Sequence, residues 1–103
     1  MDINKTLEGN KLVVKVAGRM DSVSAPELEA ALNESLDGVE ELVFDFSELE
    51  YISSAGLRVL LTSYKKMNSQ GTMTIININD IIREIFEVTG FAEIFTVEEK
   101  DEI

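Results

Sequence analysis

The chain holds 103 residues, 45% of them apolar and 28% charged, a length that suits one hydrophobic core and falls short of two. Twenty acidic residues against nine basic ones give a formal charge of -11, which repels phosphate backbones and anionic lipid, so neither nucleic acid nor membrane is an expected partner. Cysteine and histidine are both absent, which removes disulfides, thiolate and imidazole metal sites, cysteine nucleophiles and the Ser-His-Asp triad.

Residues 1–9 carry acids and a lone lysine with no apolar leader, so the chain is expected to stay in the cytoplasm. Segments 3–8 and 11–17 flank Gly9-Asn10, a pair suited to a hairpin turn with positive φ at its first central position. The second strand is nearly continuous in apolar residues from Leu12 to Val16, a pattern typical of strands covered on both faces. A helix then starts with Ser24 and Glu27 at capping-box spacing, Pro26 in the first turn and Val23 placed to staple onto Leu28. Leu28, Ala31, Leu32, Ser35 and Leu36 make its inner face, and Gly38 ends it.

Segment 41–46 reads as a buried strand through Leu42-Val43-Phe44. The next helix runs from 54 to about 70, with Leu57, Leu60, Leu61 and Tyr64 at i, i+3, i+4 and i+7 and Gly71 as its stop. A strand follows at 72–78. A short helix at 80–88 is expected to bury Ile81, Ile82, Ile85 and Phe86 before Gly90, and a last strand at 94–97 precedes a charged end. Strands alternating with helices after a hairpin imply an α/β domain with a mixed sheet of four to five strands and right-handed crossovers. No internal repeat or linker divides the chain, so residues 1–103 are read as one domain.

At the strand-to-helix junction, Ser53 and Ser54 place two hydroxyls at a helix start, where unpaired amides and partial positive charge accept an added phosphate. Ala55 and Gly56 add little bulk there, and Leu57 anchors the first turn in the core. Either serine could be an ordinary N-cap worth about 1 kcal/mol. Only one of them can be, which leaves the other hydroxyl unexplained by capping.

The stretch 45–61 resembles the STAS domains of anti-sigma factor antagonists, which carry Asp-Ser-Ser/Thr-Gly-Leu-Gly at the start of this helix after an aromatic-aliphatic pair like Tyr51-Ile52. The resemblance runs from about Leu12 to Phe95. It includes Gly18-Arg19-Met20-Asp21 before the first helix and Val88-Thr89-Gly90-Phe91 after the third. It implies a STAS-like single domain that binds protein, performs no catalysis and needs no cofactor or metal of its own. The family's phosphorylated serine falls on Ser54, its glycine and leucine on Gly56 and Leu57, and the acid of the loop before the first helix on Asp21. The implied partner surface comprises Asp21, Ser22, Ser53, Ser54, Ala55, Gly56, Leu57 and Arg58. Asp21 also reads as a helix-flanking acid favoured by the dipole.

The implied partners are an anti-sigma factor serine kinase, bound by the unphosphorylated monomer to release a sigma factor, and a metal-dependent serine phosphatase that resets the switch. Three departures stand out: Ser53 replaces the family aspartate, Arg58 replaces its last glycine, and the sequence ends six residues beyond Val97 where many members continue into a final helix. Arg58 could be a solvated residue, could pair with a partner carboxylate, or could pair with the new phosphate.

The alternative is a non-switching STAS adaptor subunit of a lipid-transport ATPase or other signalling complex. A hydrolase reading fails because no histidine activates Ser54, Gly-x-Ser-x-Gly is absent, and Lys65 and Lys66 lie about 16 Å down the helix. Calcium loops at 45–50 or 77–80 lack the required glycine and oxygens. The glycan acceptor patterns at Asn4 and Asn33 matter only in secreted chains.

Overall fold

Strands β1 (Asp2–Glu8) and β2 (Lys11–Met20) form the expected hairpin, pairing from Glu8↔Lys11 to Asp2↔Ala17. Gly9 supplies the left-handed turn, with φ of 63°. A computed structural model describes residues 1–99, and these continue through α1 (Ala25–Ser35), β3 (Glu41–Ile52), α2 (Ser54–Asn68), β4 (Thr72–Ile76), α3 (Asp80–Thr89), a 3-10 turn at Phe91–Glu93, and β5 (Thr96–Glu98). The sheet order is β1-β2-β3-β4-β5, antiparallel in the hairpin and parallel thereafter. The expected mixed sheet is therefore present with five strands.

Every crossover steps the same way along this sheet, so right-handed connections place all three helices on one face. Leu12, Val14, Leu42, Phe44, Phe46 and Ile75 meet Leu28, Leu32, Leu60, Met67, Ile82 and Phe86 there in a continuous core. Each fully buried side chain of this size contributes about 1.5–3 kcal/mol. The expectation that β2 is covered on both faces fails. Its burial alternates along the strand, with Val13 and Lys15 half-buried on the side that carries no helix among the described residues.

Strand β3 outruns its predicted end at residue 46 by six residues. Against β2 its register slips twice, between Lys15 and Ala17 and between Gly18 and Arg19, each time by one extra residue on β3. These bulges break the alternation that would have marked segment 47–52 as strand. At the first, Asp45 Oδ1 accepts the Ser47 amide at 3.0 Å. Between them Leu49 points back into the core, and beyond the second so does Ile52.

Four local expectations are corrected. Ser24 makes no capping bond, because its hydroxyl donates to the Arg19 carbonyl at 2.9 Å and accepts the Asp21 amide at 2.9 Å. The staple is absent, since Val23 is 87% exposed while Leu28 is fully buried. Strand β4 stops at Ile76, because Asn77 takes a left-handed φ of 63°. In α3, Ile82 and Phe86 are buried and Ile85 is half-buried, but Ile81 is 58% exposed. Of the charged end, Glu98 closes β5 and residues 100–103 lie outside the described residues.

Gly71 does not cap α2, whose C-cap is Ser69 in right-handed geometry. It is needed for a close approach: a Cβ at this position would sit 1.8 Å from the Glu40 carbonyl oxygen, beside the bond from the Thr72 amide to that same oxygen. Because backbone rather than a flexible side chain blocks the space, Gly71→Ala should lower unfolding stability by about 2–3 kcal/mol. A urea titration that left the midpoint unchanged would contradict this.

Candidate functional site

The parallel strands all end on one edge of the sheet, and α1, α2 and α3 all begin there. Ser53, extended at φ -95° and ψ 177°, is the N-cap of α2, and its Oγ accepts the Gly56 amide at 3.4 Å. Its own amide donates to the Met20 carbonyl at 2.8 Å, joining the start of α2 to the end of β2. Ser54 is then the first helical residue. It is exposed, and among the described residues its hydroxyl has no hydrogen bond. The two serines thus divide as the capping argument requires: one holds the helix and the other is left to solvent.

The remaining predicted surface residues separate by depth. Ser22 and Arg58 are exposed and Ala55 is half-buried. Gly56 and Leu57 are buried, Leu57 to 5% exposure, so they support the surface and do not form it. The absent side chain of Gly56 serves the core beneath it, not an opening around the hydroxyl: a Cβ would lie 2.7 Å from both Ile52 Cγ1 and Met20 Sδ.

Asp21 is a loop organiser. Its Oδ1 accepts the amides of Ser24 and Val23, both at 3.0 Å, with the Ser24 hydroxyl 3.1 Å away. These bonds to Ser24 and Val23, helped by the nearby Arg19, hold the carboxyl below its ordinary pKa. Asp21 thereby fixes the turn that leads into α1, while inside the helix the Glu27 amide donates to the Ser24 backbone carbonyl at 3.0 Å in place of a side-chain cap.

Several residues on this edge were not assigned to the site by the sequence reading. The Arg19 guanidinium lies 4.6 Å from the Tyr51 ring centroid, a cation–π contact beside the site. Asn79 caps α3 by accepting the Ile82 amide at 2.8 Å, while its Nδ2 donates to the Leu49 and Glu50 carbonyls at the second bulge. Exposed Val23 and Ile81 add apolar area at the starts of α1 and α3. Asn79 left a sequence signal of its own, a cap-forming residue directly before an acidic, apolar helix. Among the described residues no three metal-ligating side chains converge, and no helix is long and apolar enough to cross a membrane.

The model of the STAS domain matches residues 2–102. The chain belongs to the STAS domain family. Over 88 residues this STAS domain is 40% identical to BtrV of Bordetella bronchiseptica, whose name assigns it provisionally to the anti-sigma factor antagonists; the match spans 84% of this chain and 76% of BtrV. An anti-sigma factor antagonist from Mycobacterium paratuberculosis superposes with a TM-score of 0.84 at 28% identity, covering 93% of this chain and 83% of that one. The Bacillus protein SpoIIAA, solved unphosphorylated and phosphorylated, gives TM-scores of 0.86 and 0.78 at 15% identity. Each match covers 98% of this STAS domain, and 90% and 93% of SpoIIAA respectively. That likeness shows the fold.

Two measurements check the division of roles. Ser53→Ala should cost about 0.5–1 kcal/mol through loss of the cap, while Ser54→Ala should stay within about 0.5 kcal/mol of the parent; equal losses in chemical denaturation would contradict the assignment. For Asp21 the folded pKa lies below the unfolded one. Its contribution is therefore fully present above the unfolded value of about 3.9 and is lost as pH falls through the folded value. The stability gap between parent and Asp21→Ala should be constant from pH 7 to about 5 and narrow toward pH 2. A gap independent of pH would refute the role.

Proposed function

We propose that this STAS domain is an anti-sigma factor antagonist, a protein-binding switch set by phosphorylation of Ser54. The observation that carries the reading is the Ser54 hydroxyl, exposed at the first helical position and released from capping by Ser53. Unphosphorylated, the edge formed by Ser22, Val23, Ser53, Ser54, Ala55 and Arg58, held in shape by Asp21, Gly56 and Leu57, docks on an anti-sigma factor that is itself an ATP-dependent serine kinase. Docking frees the sigma factor. Val23 and Ile81, exposed on either side of the serines, supply apolar contact.

The kinase then moves the γ-phosphoryl group of ATP to Ser54 Oγ. The new O–P bond forms as the bond to ADP breaks, and the hydroxyl proton passes to a base of the kinase. ATP and magnesium belong to that enzyme. The chain, a single domain over residues 1–103, cytoplasmic and monomeric, supplies the acceptor and the shape and is not itself an enzyme. A phosphate of about -1.5 to -2 charges inside the interface opposes docking by desolvation and repulsion. A penalty of about 2–5 kcal/mol weakens binding by about 30-fold to several thousand-fold. A metal-dependent serine phosphatase hydrolyses the ester and restores the binding form.

Incubation with the cognate kinase and ATP, read by intact mass, should add one phosphoryl group to the parent and none to Ser54→Ala. Equal incorporation by both would rule out Ser54 as the acceptor.

A further inference from the structure

On the surface of α2, Ser54 and Arg58 stand four residues apart, a spacing that makes them neighbours on one helix face. Both are exposed. Helical side chains lean toward the helix N-terminus, so the long Arg58 side chain is directed from the second turn back over the first, where Ser54 begins the helix.

Among the described residues most of the other cations are committed elsewhere. Lys11, Lys15, Lys66 and Arg83 each pair with a carboxylate. Lys5 donates to the Ser35 hydroxyl, and Arg19 is stacked on Tyr51. The Arg58 guanidinium makes no ion pair or hydrogen bond among the described residues, and the Ser54 hydroxyl makes no hydrogen bond among them either.

Resting on the reading of Ser54 as a phosphorylation site, we propose that Arg58 is the in-chain receptor for that phosphate. Once Ser54 is modified, the guanidinium folds back one turn and binds the phosphate oxygens in the two-pronged geometry that arginine offers and lysine does not. The order is also the better one, with the anion N-terminal to the cation at i, i+4. Phosphorylation then acts twice on the partner surface: it adds negative charge and withdraws a cation that the unmodified form leaves available to a partner carboxylate.

The test uses full-length protein with phosphoserine incorporated at position 54 during translation, so that no kinase is involved. Phosphorus NMR follows the second ionisation of the phosphate, near pH 6, in the parent and in Arg58→Gln. A paired guanidinium favours the dianion, so the parent pKa should lie about 0.3–1 unit below that of Arg58→Gln at low salt, with the gap narrowing as salt is raised. Other charged groups on this edge, Arg19 near the end of β2, Asp21 just after it, Glu50 in β3 and Asp80 at the start of α3, are common to both proteins. Identical titrations at low salt would overturn the clamp and leave the switch standing. A failed kinase assay would remove the switch, and with it the phosphate the clamp receives, whichever way the titration falls.

Discussion

The amide of Ser53 donates to the carbonyl of Met20, and the geometry of the whole upper edge follows from that bond. It joins the end of β2 to the start of α2 across the second bulge of β3. The Asp21 loop on one side and the exposed hydroxyl on the other are thereby held in one rigid frame. Gly56 completes the joint, because only a residue without a side chain lets the first turn of α2 settle against Met20 and Ile52. A looser junction would leave Ser54 on a fraying helix end, and a docking partner would then have to supply the ordering entropy itself.

Around that joint the polar groups are arranged so that little is left unsatisfied. Asp21 takes the amides of Val23 and Ser24 in the turn before α1, Ser53 takes one from α2, and Asn79 takes one from α3 while gripping the backbone of β3. Three helix starts on one edge are each secured by a different side chain. Ser54 and Arg58 contrast with these in having no comparable structural task, which is what frees them for interaction with other molecules or with each other.

Much of this was legible in the chain itself. The hairpin at Gly9-Asn10, the alternation of strands and helices, and the junction at residues 53 and 54 all follow from turn chemistry and periodicity. What was not legible depended on contacts between distant segments. The bulges in β3 hid its last six residues from a periodicity reading that ended the strand at 46, because their pairing is set by β2. Ser24 looked like a capping residue by spacing, yet the carbonyl of Arg19 and the amide of Asp21 claimed its hydroxyl. Gly71 looked like a helix stop, whereas its cause lies at Glu40, 31 positions earlier in the chain. Leu57 belongs to the family motif because it packs, so the motif marks the place of the surface and not the membership of each residue in it.

Among the described residues the strictly sequential strand order leaves β1 and β5 unpaired on their outer sides. At one, β5 spans only three residues, too few to template a neighbouring chain. At the other, β1 is seven residues long and mostly exposed, but Asp2, Lys5 and Glu8 interrupt it. A second molecule adding itself there would bring another eleven net negative charges alongside the first. The acidity that argues against nucleic acid and membrane as partners thus also opposes fibre-like self-addition at this strand.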